Sequence, residues 1–175
     1  LGAGVSSSAA LEVAVMKALS HSYGFPMAGI PLASLCQKVE NYVVGAPCGI
    51  MDQVTSVLGR EDEFLCLKCQ PHDVQGFVRL PKGVRVVGLN SDVKHSVGGE
   101  RYTSARVGAF MGQRIIQEVG LREAGVDPTG GYLANISVAD FRKKWARHLP
   151  PKMAGVKFLE LYQRTNDPVA PVAPQ

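Results

Sequence analysis

The chain has 175 residues, of which 46% are hydrophobic, enough for one ordinary domain or two small ones with a normal core. Its formal charge of +4 comes from 19 basic and 15 acidic residues spread along the chain, which argues against a nucleic-acid-binding protein. No apolar run approaches the roughly 18 to 20 residues of a transmembrane helix, and the first residues do not resemble a signal peptide. We therefore expect a cytoplasmic protein that binds no membrane.

The first third of the chain predicts three helices. Residues 8–19 are rich in Ala, Leu, Val and Met, which is typical of a buried helix, so the loop before them points at a helix N-terminus. Apolar residues at helical spacing predict a second helix over residues 32–43, and residues 50–58 predict a third. Gly59 is expected at the C′ position of this third helix.

The periodicity then changes to that of strands. Residues 64–68, 74–80 and 84–90 predict an antiparallel meander, and residues 100–119 predict a long helix. Ser137, with Asp140 three residues later, predicts the capped start of another helix that runs to about residue 147. The last eight residues are expected to be a flexible end or the beginning of a further segment.

The four cysteines, Cys36, Cys48, Cys66 and Cys69, contain one pair in C-x-x-C spacing. A structural zinc site needs a second pair of ligands, which the sequence does not supply. Since no secretory signal is present, we predict free thiols.

The first candidate site is the loop GAGVSSSA, residues 2–9, directly before the first predicted helix. Glycines let backbone amides approach an anion, and a helix N-terminus adds unpaired N–H groups and the positive end of the helix dipole. The loop lacks the lysine of a Walker A motif and the pattern of a Rossmann fingerprint. A plain glycine turn with a serine N-cap explains the loop equally well.

Two carboxylates and a tyrosine are further candidates. Asp52 lies in the first turn of a predicted helix, where it could accept a proton or simply stabilise the helix. Glu40 lies near a helix C-terminus, which disfavours a carboxylate unless a cation such as Mg²⁺ compensates. Tyr102 follows a polar, glycine-rich segment and could offer its hydroxyl to a sugar. For His95, nothing at fixed spacing forms a catalytic pair, so a structural hydrogen bond is favoured.

These segments, in this order and spacing, resemble the galactokinase and L-arabinokinase branch of the GHMP kinases. The family's phosphate loop is similar to LGAGVSSSAALEVA, its catalytic-aspartate segment to CQKVENYVVGAPCGIMDQ, and its sugar-facing segment to NSDVKHSVGGERY. The resemblance implies that the ATP phosphates lie against Gly2, Gly4, Val5, Ser6, Ser7, Ser8 and Ala9. It further implies that Ser8 and Glu40, with Ser7 as a second hydroxyl candidate, hold Mg²⁺, and that Asp52 is the catalytic carboxylate. The sugar would contact Gly49, Asp52 and Tyr102.

The implied fold is α+β, the GHMP kinase fold. Residues 1–95 would be a truncated N-terminal domain of the ribosomal S5 domain 2-like type that lacks the family's first motif, and residues 96–175 would begin a ferredoxin-like C-terminal domain, with the boundary near His95. The chain starts without methionine inside a functional loop, so an internal piece of a longer protein is expected. The family's third motif is absent, so activity is to be sought in the full-length protein.

The implied function is transfer of the γ-phosphoryl of ATP to the anomeric hydroxyl of a monosaccharide. Residues 97–112 and the later stretch that ends in NDPV are closer to plant-type L-arabinokinases, which favours L-arabinose, with D-galactose as the alternative. A galactokinase-like sensor that binds sugar and ATP without turnover is a second alternative. Such sensors lose a Ser-Ala pair in the phosphate loop, and here Ser8 and Ala9 are intact. A degraded or isolated module is the third alternative, and the sequence does not indicate an oligomeric state.

Overall fold

A computed structural model describes residues 4–92 and 99–173 of the chain. The chain divides into two compact units, Leu1–Gly98 and Gly99–Gln175. The domain boundary predicted near His95 falls on residues 93–98, which lie outside the described residues.

The described part of the first unit contains the helices α1 (Ser7–Ser22), α2 (Gly29–Val39) and α3 (Met51–Leu58). The three helices predicted at the start of the chain are thus confirmed. The predicted second helix, residues 32–43, was wrong in one respect. The α-helix stops at Val39, and the chain continues as a π-helical turn, Glu40–Val44. The wider turn ends where the backbone amides of Gly45 and Ala46 donate to the Glu40 carbonyl oxygen. Such turns are frequent at functional sites.

Gly59 follows α3 as predicted, but not in the left-handed conformation that the C′ position implied. Its backbone is extended, with φ −53° and ψ 144°. A Cβ atom at this position would lie 2.6 Å from the carbonyl oxygen of Thr55. Glycine therefore suits this helix end because the backbone passes too close for a side chain.

Strands β1 (Glu63–Lys68) and β2 (Asp73–Arg79) form an antiparallel hairpin in which Glu63 lies opposite Arg79. The prediction of a third strand over residues 84–90 was wrong, because the described residues form only a two-stranded sheet. Residues 84–90 are all exposed, and Leu89 is 94% exposed. Alternating apolar residues make a strand only when a neighbour supplies ladder hydrogen bonds, and no described strand pairs with them.

In the core of the first unit, α1, α2 and α3 pack against one another, and α3 also contacts β1. One buried cluster joins Val13 of α1 to Leu32 and Cys36 of α2. A second cluster joins Ala33 of α2 to Ile50 and Val54, and the hairpin residues Leu65, Leu67 and Val74 pack against it. This packing brings the start of α1, the end of α2 and the start of α3 together. All four cysteines are free thiols, as predicted.

The described part of the second unit is helical. Its elements are α4 (Glu100–Ala124), a 3₁₀ turn (Leu133–Asn135), α5 (Val138–Asp140), a π-helical turn (Phe141–Trp145), a 3₁₀ turn (Ala146–His148) and α6 (Gly155–Tyr162). The predicted cap is confirmed, since Ser137 Oγ accepts a hydrogen bond of 3.0 Å from the Asp140 amide. The helix expected after it is broken into short pieces, and α6 was not predicted. No helix in the two described ranges is both long and apolar enough to cross a membrane.

An ion pair ties α4 to the end of the second unit. Arg106 Nε donates to Asp167 Oδ2 at 2.7 Å, and Arg106 Nη2 donates to Asp167 Oδ1 at 2.9 Å. The Asp167 side chain is completely buried. Burial raises the pKa of the Asp167 carboxyl, but the hydrogen bonds from Arg106 and from the backbone amides of Val169 and Ala170 outweigh it, so this pKa lies below its ordinary value.

We predict that Arg106→Met lowers the free energy of unfolding by about 3 to 5 kcal/mol, because it leaves a buried carboxylate without its cation. Urea unfolding at pH 7 measures this loss. The matched control is Lys144→Met, which removes the exposed 2.8 Å pair with Asp140 and should leave the unfolding midpoint unchanged. An equal effect of the two substitutions would contradict the prediction.

The lowered pKa of Asp167 also predicts a pH dependence with a defined sign. A depressed carboxyl pKa stabilises the folded state above the ordinary Asp value of about 3.9. This contribution is lost as the pH falls from there through the lower pKa of the folded state. Urea unfolding between pH 5 and pH 2 should therefore show a decline that is smaller in Asp167→Asn. An identical decline in both proteins would contradict the assignment.

Candidate active site

The candidate phosphate loop enters α1 through two left-handed residues. Gly4 has φ 72° and Ser6 has φ 55°, and Ser6 is the N-cap residue of α1. The Ser6 side chain makes no capping hydrogen bond, and the first turn of α1 contains no acidic residue. No acidic side chain in the first turn of α1 therefore neutralises the positive end of the helix dipole. An anion could bind there.

Most of the loop is open to solvent. Gly4, Val5 and Ser8 are exposed, Ser6 and Ser7 are half-buried, and Ala9 is buried in the core. Gly2 lies outside the described residues. The first turn of α1 thus presents serine hydroxyls at the surface while Ala9 anchors the helix.

The structure brings Ser8 and Glu40 into direct contact. The Ser8 hydroxyl donates a hydrogen bond of 2.8 Å to Glu40 Oε1. Glu40 is only 6% exposed, although it begins a π-helical turn at the end of α2. Its position at the end of α2 is unfavourable for a carboxylate, but the contact with the first turn of α1 places it at the positive end of a second helix dipole.

The other oxygen of Glu40 is held by neutral donors. Gln53 Nε2 donates to Glu40 Oε2 at 2.5 Å, and the Cys48 thiol lies 3.5 Å from the same oxygen. Within residues 4–92 and 99–173, no lysine, arginine or histidine forms an ion pair with Glu40. Within the described residues, only neutral donors therefore satisfy this buried carboxylate.

Burial and the charge of Glu40 act on two neighbouring groups. Burial, together with the negative charge of Glu40, raises the pKa of the Cys48 thiol to about 12. Cys48 is therefore a protonated donor at neutral pH, not a nucleophile. Burial raises the pKa of the Glu12 carboxyl as well, and the Glu40 charge adds to this effect.

Sequence reasoning missed Glu12, Gln53 and Cys48 as members of this cluster. Glu12 follows Ser8 by four residues, so both lie on the same face of α1, and Gln53 directly follows Asp52. These spacings were available signals. Cys48 carried none, because its role depends on its contact with Glu40.

Asp52 and Gly49 lie at the start of α3. Asp52 is half-buried in the first helical turn, and no hydrogen bond or ion pair from the described residues engages its carboxylate. Gly49 is exposed, and a Cβ atom there would meet no atom within 4 Å. This end of α3 is therefore accessible to a ligand.

Tyr102 belongs to the second unit, whereas the other described candidates belong to the first. It lies in the first turn of α4 and is 36% exposed. Of the polar segment before it, Asn90 and Asp92 bond to each other, with Asn90 Nδ2 donating to Asp92 Oδ1 at 2.8 Å. His95 lies outside the described residues.

The pair formed by Ser8 and Glu40 fits a magnesium ion. Both offer oxygen atoms, and their separation of 2.8 Å is close to the roughly 3 Å between adjacent ligands of an octahedral Mg²⁺ at about 2.1 Å. In the described residues, no group of three or more His, Cys, Asp or Glu side chains could hold a metal ion. Mg²⁺ does not require one, since it usually takes one or two protein ligands beside water and phosphate.

Comparison with known proteins agrees with the motifs. Residues 1–60 match the family model of the GHMP kinases N terminal domain. The chain is 41% identical to L-arabinokinase of Arabidopsis thaliana over 191 aligned positions, which cover 96% of this chain and 18% of that protein. The chain thus spans less than a fifth of the length of the curated relative that it matches. No solved structure matches the chain.

These matches confirm the family that the motifs indicated. The mixture of helices with a small sheet also confirms the α+β fold class. The start of α1, the end of α2 and the start of α3 all lie within the matched residues 1–60. The chain belongs to the GHMP kinases, with the N-terminal domain of that family over residues 1–60 and similarity to L-arabinokinase along nearly its whole length.

Proposed function

We propose that this chain supplies the phosphate loop and the catalytic carboxylate of an ATP-dependent sugar 1-kinase. The observation that carries the proposal is the contact between Ser8, in the first turn of α1, and the buried Glu40, which has no ion-pair partner among the described residues. This contact joins a helix N-terminus suited to phosphate with an oxygen pair suited to Mg²⁺. Asp52 lies in the helix that also supplies a donor to Glu40.

In this proposal the phosphates of ATP lie against the start of α1. The backbone amides of residues 4–9 donate to phosphate oxygens, and the left-handed Gly4 and Ser6 turn the backbone into the helix. Ser8 and Glu40 hold Mg²⁺, which neutralises charge on the phosphates when it is bound. Val5 and Ser7 complete the loop, together with Gly2 and Ala9.

Asp52 acts on the sugar. Its carboxylate lies in the first turn of α3, at the positive end of the helix dipole, where it can accept a proton from the sugar. The anomeric hydroxyl passes its proton to Asp52 while its oxygen bonds to the γ-phosphorus, and the bond from that phosphorus to the β–γ bridging oxygen breaks. ADP leaves, and the sugar 1-phosphate forms. We propose that Gly49 and Tyr102 contact the sugar.

The proposed substrate is L-arabinose, with D-galactose as the alternative. The 41% identity to a protein named L-arabinokinase supports the first. The intact Ser8 and Ala9 favour an enzyme over a non-catalytic sensor of sugar and ATP. We further propose that residues 1–95 are the N-terminal domain and residues 96–175 the beginning of a ferredoxin-like domain, in a cytoplasmic protein.

We predict that Asp52→Asn in the full-length protein lowers kcat by about 10² to 10⁴, because it removes the base while keeping size and shape. ATP binding and the melting temperature should change little. An ordinary helix-stabilising acid would behave in the opposite way, with a loss of about 0.3 to 1 kcal/mol in stability and nearly normal turnover. Measuring kcat and melting temperature on the same sample separates the two.

The matched control for Asp52→Asn is Asp62→Asn. Asp62 is a solvent-exposed acid of the same unit, and its left-handed backbone, with φ 56°, is one that asparagine readily adopts. The control should therefore keep both turnover and stability. A fully active Asp52→Asn protein would overturn the catalytic assignment.

The substrate prediction is tested separately on the full-length protein. ADP release should be fastest with L-arabinose, slower with D-galactose, and near background without sugar. Release that does not depend on any sugar, combined with sugar and ATP binding, would favour the sensor. A preference for D-galactose would keep the kinase and change its substrate.

A further inference from the structure

We infer that Gln53 is a positioning residue of the site, which holds the Glu40 carboxylate in the orientation that directs one oxygen toward Ser8. The inference rests on the proposed function, because the role of Glu40 as a cation ligand is part of that proposal. In this proposal Gln53 contacts neither sugar nor phosphate. It acts by orienting Glu40, the proposed cation ligand.

The contacts of Gln53 are unusual for a glutamine. Its side chain is completely buried, and Nε2 donates to Glu40 Oε2 at 2.5 Å. The same nitrogen lies 3.4 Å from Glu12 Oε2, so the two carboxylates share one amide group. The Gln53 Oε1 atom is buried without a hydrogen-bond partner among the described residues.

The orientation of this amide is dictated by its surroundings. Only the NH₂ group of a glutamine can donate, and a carboxylate only accepts. If the amide were turned over, Oε1 would face two carboxylate oxygens and the repulsion would add to the burial cost. The unpaired Oε1 is therefore the cost of directing both N–H groups at Glu40 and Glu12.

The two oxygens of Glu40 consequently have separate tasks. Oε1 meets the hydroxyl of Ser8, which can rotate away and leave that oxygen to a cation. Oε2 meets the amide of Gln53, which is fixed in the core of the unit. Gln53 therefore fixes the rotation of the carboxylate, and a bound cation meets an oxygen already in place.

The same hydrogen bond links Glu40 to α3, the helix that carries Asp52 in its first turn. The start of α3 is also held by the core packing of Ile50 and Val54. We therefore expect a change at Gln53 to weaken cation binding first and to affect the position of Asp52 less.

The test is Gln53→Met in the full-length protein, since methionine preserves length and burial but cannot donate a hydrogen bond. The probe is Mn²⁺, alone and with a non-hydrolysable ATP analogue, followed by the loss of the free-ion electron paramagnetic resonance signal. Partners that orient a metal ligand are typically worth 10- to 100-fold in affinity. We expect Mn²⁺ to bind about 10- to 100-fold more weakly and the Mg²⁺ concentration for half-maximal activity to rise by a similar factor.

Gln113→Met is the matched control. Gln113 is a buried glutamine of α4 whose Nε2 donates to the carbonyl oxygen of Gly131 at 2.7 Å, outside the proposed site. Its loss should lower the melting temperature but leave Mn²⁺ affinity unchanged. A merely structural role of Gln53 predicts the same pattern for Gln53→Met. That result would overturn the inference.

Two further variants separate this inference from the proposed function. Ser8→Ala and Glu40→Gln should each weaken Mn²⁺ binding. If they do and Gln53→Met does not, the positioning role is wrong while the cation site stands. If neither alters Mn²⁺ binding, the cation site itself is wrong and the inference falls with it. Should Gln53→Met fail to fold, Gln53→Asn takes its place, because its shorter amide stays polar but does not reach Glu40, and normal Mn²⁺ binding by it would also overturn the inference.

Discussion

A buried carboxylate that no described protein cation neutralises is the constraint on which the first unit depends. Glu40 is taken out of water at the end of α2, and a charge in that position is costly unless donors surround it. The donors come from Ser8 in α1 and Gln53 in α3, and the Cys48 thiol between α2 and α3 adds a weaker one. The three helices must therefore pack with their relevant ends together, or this charge is left unsatisfied.

The second unit solves the same physical problem in another way. Asp167 is also buried, but the guanidinium of Arg106 and two backbone amides complete its shell. A buried carboxylate that is paired with an arginine in this way has a structural role. It leaves no position for a second cation. Glu40, closed by neutral donors, one of which is a rotatable hydroxyl, retains an oxygen that a cation can take. This difference in partners, more than burial, distinguishes Glu40 from Asp167.

The neighbours of Glu40 also limit the chemistry at this position. The raised pKa of Cys48 keeps the thiol protonated, and the proximity of Glu12 and Glu40 through one amide adds negative potential. Negative potential attracts a divalent cation and opposes a bare anion. If the start of α1 binds phosphates as proposed, a cation placed between it and the two carboxylates would favour that binding.

The sequence by itself determined the local elements and the family. Helical periodicity located α1, α3 and most of α2, the Ser137 cap was evident from spacing, and the three motifs indicated the GHMP kinases. Only the tertiary structure decided the rest. Residues 84–90 have the strand pattern but no described partner, and Glu12, Gln53 and Cys48 join Glu40 through contacts between separate helices. The physical reason is that periodicity and capping act within a few residues, whereas strand pairing and the solvation of a buried charge depend on groups that only folding brings together.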